Sequence, residues 1–388
     1  MEAAVTPRSS GGKGVSSSPR SGSPRNVARR RLRRLYGESA LTTLRLLSVL
    51  SLCAVLATLL RVSLTQFLRW SVGQAYQGVL PSNLFANVLG CVIMGFLAPQ
   101  KGLSLWKREG WLYVAMTSGF CGSLTTLSSW MKDAVAALGR VEVVHYLLLI
   151  FLEFFSNLCA FAFGLHLYST VTAIGTRAST SFLSKRFQVI HDHSDSSSHQ
   201  QQQGVEEDGE YSDVSLATSE QNEEASTGKP LKRLLWTASL PTLLLSLAVL
   251  TLSILSVSLK NWRWLMFSAL FAPFGALLRY YLSLLNANEP YASGFPLFTF
   301  IPNLAGCLFA AAMHILAANK GWTDRSSPGA YLVEASMIGF SGCLTTVSTF
   351  MAELMQPHRA LLLRYLYGAC TVGIAQALLV SLFWTFLW

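Results

Sequence analysis

The amino-acid sequence predicts an all-α polytopic membrane protein in which nine transmembrane helices form two inverted four-helix repeats joined by one linking helix. Three observations carry that prediction. Across 388 residues, 51% are hydrophobic and only 13% charged, and the mean hydropathy is +0.40, which excludes an ordinary soluble globular chain. Apolar stretches long enough to cross a bilayer as helices recur along the chain. The polar residues inside those stretches repeat at a nearly fixed offset, which chance similarity between apolar helices does not produce.

Taken in order, residues 1–45 read as a disordered basic tail, rich in Ser, Gly, Pro and Arg, with Glu2 the sole acid before the run Arg29 to Arg34. Such a start suits a cytosolic N-terminus ahead of a span; an organellar transit peptide is the second reading. Residues 46–175 hold four spans, approximately Leu46 to Phe67, Pro81 to Pro99, Trp111 to Met131 and Val143 to Ile174. Residues 176–230 are rich in Ser, Gln, His and acids and read as a disordered loop. Its His191, Asp192, His193 and His199 are metal-ligating types, but a flexible segment does not preorganise a tetrahedral site. Residues 231–260 form the linking span, which carries no repeated motif. Residues 261–388 hold the last four, approximately Trp264 to Leu285, Phe295 to Leu316, Ala330 to Leu354 and Leu361 to Trp388.

Charge fixes the expected orientation. Ten of the 20 acids fall between Asp192 and Glu224, so the remainder of the chain is strongly basic. Its Lys and Arg sit at the ends of apolar segments, the topological use of positive charge rather than a nucleic-acid surface. With the N-terminus inside, inside segments hold 21 Lys and Arg and outside loops 7, which predicts a cytosolic N-terminus and an extracellular C-terminus. The seven cysteines lie within apolar stretches without a CxxC pair and read as small buried hydrophobes.

The repeat is visible as ATLLRVSLTQF against GALLRYYLSLL, NVLGC against NLAGC, and GFCGSLTTLSSW against GFSGCLTTVSTF. Arg61 pairs with Arg279, Asn87 with Asn303 and Thr126 with Thr346, at offsets of 218, 216 and 220 residues. Four spans return a chain to its starting side, so the linking span is what inverts the second copy about an axis in the membrane plane.

Polar groups in hydrocarbon need internal partners or a wet path. Gly122, Ser123, Thr125 and Thr126, and Gly342, Thr345 and Thr346, place glycine and hydroxyls near mid-span, where they favour a broken helix or, alternatively, close packing through small residues. Ser128, Ser129 and Trp130 follow in one half and Ser348, Thr349 and Phe350 in the other, then Asp133 or Glu353. Amide N–H groups of Asn87 and Asn303, the hydroxyls and the aromatic edges all offer positive partial charge to a small anion, and no acid is expected at the narrowest part of such a path. The same Asn and aromatic residues also suit helix packing. Arg61 and Arg279 suit either snorkelling or a positive vestibule. Glu153 receives no role.

These motifs resemble the fluoride channels, bacterial four-span proteins that assemble as antiparallel dimers, and their fused eukaryotic relatives, the fluoride export proteins. The family pattern GxxGGxTTFSTFxxE is similar to Gly339 through Glu353; the copy from Gly119 through Trp130 and Asp133 is looser. The resemblance implies a passive fluoride-selective channel, not an enzyme, that exports fluoride from the cytosol across the plasma membrane, gives fluoride resistance and works as a monomeric pseudo-dimer in the bilayer. It implies anion paths along Asn87, Asn303, Phe350 and Trp130, with Ser128, Ser129, Ser348, Thr349, Thr126 and Thr346 on the same elements. It also implies a structural sodium ion on the carbonyls of Gly122, Thr125, Gly342 and Thr345. Arg61, Arg279, Asp133 and Glu353 fall to the vestibules. Departures from the pattern, with Leu127 or Val347 for the first Phe and Ser123 or Cys343 for the second Gly, leave one path free to decay. An alternating-access transporter for another small solute and a non-conducting membrane scaffold are the rival readings.

Overall fold

The computed structural model describes residues 40–72, 80–102, 110–197, 228–286, 294–322, 327–357 and 359–387, and these form helices joined by short turns, with no strand among them. The first half comprises α1 (Ala40–Val72), α2 (Leu84–Leu97), α3 (Gly110–Val114), α4 (Leu127–Gly139) and α5 (Val143–Ser197). A linking helix, α6 (Gly228–Ser258), follows. The second half repeats the order as α7 (Arg263–Leu285), α8 (Leu297–Asn319), α9 (Pro328–Ala335), α10 (Ser348–Leu354) and α11 (Leu361–Phe386).

Both α3 and α9 loosen into a π-helical stretch, Ala115–Cys121 and Ser336–Ser341, before a last α-turn at Gly122–Leu124 or Gly342–Leu344. The chain then extends. Thr125 stands at φ −94°, ψ 144° and Thr345 at φ −87°, ψ 152°, so the helix is broken at the same motif in each half and resumes as α4 or α10. A helix widened and then broken frees carbonyls for other partners.

Among the described residues, seven helices are long and apolar enough to cross a membrane. Two of the nine expected spans differ: Leu84–Gln100 is a shorter apolar helix, and the stretch from α3 to α4 is split at Thr125 and carries Lys132 and Asp133. Helix α5 continues to Ser197, into the segment expected to be a disordered loop. Most of the basic tail, and residues 198–227 with His199, lie outside the described residues, and the side chains of His191, Asp192 and His193 are likewise outside them.

Packing is close where glycines face backbone. A Cβ on Gly95 would meet the carbonyl of Phe161, and one on Gly164 that of Val92, so α2 and α5 approach nearly backbone to backbone. The main core draws on both halves: Trp130, Met131 and Val135 from α4, Phe161 from α5, Phe350 and Met351 from α10, and Tyr367 and Leu379 from α11 are all buried together. Helix α6 contributes little. Only 11% of its apolar window is buried against the rest of the chain, which leaves the remainder for lipid. A cavity of about 480 Å³ opens among the C-terminal parts of α1 and α8, the residues before α2, and parts of α4, α7 and α9.

Candidate functional site

The two broken helices meet and exchange hydroxyl bonds. Thr125 Oγ1 accepts from the backbone N–H groups of Val347 (3.2 Å) and Ser348 (3.1 Å), at the start of α10 in the other half. Reciprocally, Thr345 Oγ1 accepts from the backbone N–H of Ser128 (3.2 Å), at the start of α4. Each threonine thus satisfies helix N-terminal donors belonging to the opposite repeat, a cap supplied in trans. The hydroxyls of Thr125 and Thr346 are 3.2 Å apart and those of Thr126 and Thr345 3.1 Å. Residue i meets j as j meets i, the contact pattern of a two-fold interface.

Asn87 and Asn303 hold the breaks open. Asn87 Oδ1 accepts from Thr126 N at 2.8 Å while its Nδ2 donates to Thr126 O at 3.3 Å. Asn303 makes the same pair with Thr346 at 2.7 and 3.3 Å. Each amide therefore replaces, for one threonine, the helical bonds that the extended backbone gave up. Gly90 and Gly306, one turn further along, give room to the methyls of Thr125 and Thr345. The Nδ2 groups differ in their remaining N–H: that of Asn87 meets the carboxylate of Glu153, whereas Asn303 Nδ2 has Thr346 O as its partner.

Arg61 and Arg279 are the largest departure from expectation. Neither snorkels: they are 2% and 4% exposed, and their donors are spent on carbonyls, although Arg61 also borders the cavity. Arg61 donates from Nη1 to the carbonyls of Ser123 (2.9 Å) and Gly342 (2.8 Å) and from Nη2 to Ile338 O (2.5 Å). Arg279 donates to the carbonyls of Gly122, Thr345 (3.2 Å) and Ser118 (2.5 Å). The guanidinium fork thus satisfies the carbonyls freed by the break, in both halves. Sequence reading missed this because an Arg in a span looks alike whether it reaches water or a buried carbonyl.

The same bonds bear on the sodium ion that the family resemblance implies. Backbone carbonyls suit a hard cation, yet those of Gly122, Gly342 and Thr345 already accept guanidinium N–H groups. A sodium ion among them would face two guanidinium charges at close range, so the residues as arranged do not fit it.

Around the aromatics, Phe350 is buried and its ring meets Tyr367 edge-on, with centroids 5.2 Å apart at 69°. Trp130 occupies the matching place in the first half, but its Nε1 donates to Leu149 O (3.2 Å). Glu353 is buried rather than vestibular, accepting from the hydroxyls of Thr299 and Tyr367, each at 2.7 Å. Asp133 accepts from Ser82 N (2.8 Å). Ser129 and Ser128 line the cavity together with Arg61, Arg69 and Lys132, a net positive set of charges with Glu334 the acid among its lining residues. Ser348 and Thr349 lie within the hydroxyl cluster around Thr346. Thr299 and Tyr367, unmarked by any repeated motif, escaped sequence reading.

Comparison with known proteins agrees with the repeat. The family model described as CrcB-like protein, Camphor Resistance (CrcB), matches residues 48–165 and again 266–383. Fluoride export protein 1 of Candida albicans is 28% identical over 358 residues, covering 86% of this chain and 78% of that protein. Fluoride export protein 1 of Neurospora crassa is 26% identical over 402 residues, covering 89% and 68%. Fluoride-specific ion channel FluC 2 of Synechococcus sp. (strain CC9605) is 41% identical over 100 residues, 26% of this chain and 69% of that protein. No solved structure matches. Two family-model matches together span more than half of the chain, each enclosing one of the paired buried arginines Arg61 and Arg279, one NxxG helix and one broken TT helix: the chain belongs to the CrcB-like family, as two copies fused in one polypeptide.

Proposed function

We propose that the chain is a passive fluoride-selective channel, not an enzyme, that exports fluoride from the cytosol across the plasma membrane and gives fluoride resistance. One observation carries the reading: at the crossing of two broken helices, amide and hydroxyl groups converge in a buried cluster, in a chain whose relatives bear the names fluoride export protein and fluoride-specific ion channel. Short, strong donors in a narrow path favour the smallest halide, whose lost hydration they replace most fully. The donors that define this path are Asn303 and Asn87, with Phe350, Ser128, Ser129, Ser348 and Thr349 along the same elements. Hydrogen fluoride enters from acidic surroundings, ionises in the cytosol and leaves as the anion. A negative cytosol assists that exit by about 2.3 kcal/mol per 100 mV.

In this reading nine segments cross the bilayer, including the short α2 and the split α3–α4, and one chain does the work of a dimer. Inversion of the repeats is supported by the cavity. Its lining gathers the C-terminal part of α1 (Thr65, Arg69) with Trp264 near the start of α7, and Ser82 and Asn83 before α2 with Ala317 and Ala318 near the end of α8. Equivalent helices therefore bring opposite ends to one side, as antiparallel copies require. With the N-terminus cytosolic and the C-terminus extracellular, this positively lined cavity faces outward. We assign the positive charge at the crossing point to Arg61 and Arg279 rather than to sodium.

The test is flux. Purified protein in liposomes is expected to release fluoride rapidly and without a coupling ion, to exclude chloride, and to lose fluoride efflux on Asn303→Ala. Saturable, slow, ion-coupled efflux would favour a carrier, and no fluoride flux from folded protein would favour a scaffold.

A further inference from the structure

Resting on the fluoride reading, the two paths differ in one group that the mechanism does not use. On α5, Glu153 is fully buried, and its carboxylate lies against the amide that would greet the anion: Asn87 Nδ2 is 3.2 Å from Oε1 and 3.4 Å from Oε2. Asn157, one turn on and also buried, donates to the same carboxylate at 2.5 Å. A carboxylate held by two amides occupies, in charge and in hydrogen-bonding role, the place of a bound anion.

Among the described residues, the second half has no such group. The family matches run 218 residues apart at both ends, which pairs Glu153 with Thr371 and Asn157 with Ala375 on α11. That register is supported independently: Trp130 touches Leu149 as Phe350 touches Tyr367, and Leu149 and Tyr367 are 218 apart. Thr371 turns its hydroxyl back to Tyr367 O (2.7 Å) and Ala375 offers only a methyl. Asn303 Nδ2 donates to Thr346 O with no carboxylate against it among the described residues. The nearby carboxylate of Glu353 is taken by the hydroxyls of Thr299 and Tyr367.

We propose that Glu153 is a built-in plug: its carboxylate, clamped by Asn87 and Asn157, fills the anion position of the Asn87 path and closes it, leaving the Asn303 path to conduct. An anionic group fixed on that path repels an incoming fluoride and also consumes the donor the fluoride needs. The positions that close it are known, so reopening is a matter of giving α5 the side chains of α11.

The experiment measures fluoride efflux from liposomes holding the full-length protein. In the double variant Glu153→Thr/Asn157→Ala, with the Asn303 path untouched, efflux per protein should rise to about twice that of wild type as a second path opens. Adding Asn303→Ala should remove only the wild-type share, and adding Asn87→Ala as well should remove the rest. Wild-type efflux without any increment in the folded double variant overturns the plug alone, as does wild-type efflux that survives Asn303→Ala with Glu153 in place. No efflux from the wild-type protein overturns the fluoride reading, and the plug with it. A Glu153 that merely tied helices together would give no gain of flux.

Discussion

At the scale of single residues, the crossing point rests on two arginines that spend their donors on carbonyls rather than on carboxylates. Arg61 serves Ser123, Gly342 and Ile338, and so bridges both halves at once. A Cβ on Gly342 would stand 2.6 Å from its Nη2, which is why glycine is required there. Lysine keeps the charge but presents a point of three donors on one nitrogen, without the planar fork. Arg61→Lys is therefore expected to orphan at least one buried carbonyl, costing about 1–3 kcal/mol, and to lower the melting temperature in detergent measurably. An unchanged melting curve would mean that charge, not geometry, is what the position supplies. The motif letters announced an intramembrane Arg in each half; what they could not convey was its direction, because the carbonyls it reaches are exposed only by a helix break 62 residues away in one half and 281 in sequence across the other.

At the scale of elements, the same termination device is executed well in one half and poorly in the other. Helix α8 ends with Gly321 at φ +65°, where Trp322 N donates to Ala317 O (2.9 Å) and Gly321 N to Ala318 O (3.1 Å). Helix α4 ends with the same paired bonds, Glu142 N to Ala137 O (3.1 Å) and Val141 N to Leu138 O (2.8 Å), but the left-handed position is filled by Val141 at φ 64°. A β-branched residue is strained there, whereas glycine is the usual occupant of this cap. Val141 is 84% exposed, so its side chain has little packing to lose. Val141→Gly should stabilise the protein by about 1 kcal/mol, the cost of a left-handed side chain, seen as a higher melting temperature with unchanged flux. Lower stability would show that the valine contributes a contact outweighing its strain. Helix existence and order were legible from apolar runs and from the repeat, since burial in lipid enforces both. Span count was less legible. Hydropathy reads a broken segment as continuous; the run Gly122 to Thr126 offered a break as one of two readings, but nothing hinted that α2 is as short as 14 residues.

At the scale of the whole molecule, the two repeats form one body because each completes the other. Thr125 caps α10, Thr345 caps α4, and each arginine reaches across to the opposite broken helix. Such exchange was legible in the sequence only as register: polar residues repeating at a near-constant offset imply that the copies are built alike, not which atoms they trade. Glu153 shows the limit from the other side, since a residue with no repeat partner carries no motif and acquires meaning only when α5 lays it against Asn87. The exchanged bonds also decide how positive charge reaches the centre. Two buried guanidinium groups already occupy three of the four carbonyls that a sodium ion would need, and they are part of the chain, so they cannot dissociate. Fluoride efflux should therefore be equal when sodium inside and outside the liposomes is replaced by potassium or by N-methylglucamine, and sodium should not raise the melting temperature. Anything that binds only the folded state must stabilise it in proportion to its occupancy. A melting temperature that climbs with sodium but not with potassium, at constant ionic strength, would place a cation among these carbonyls and require the guanidinium groups to share them.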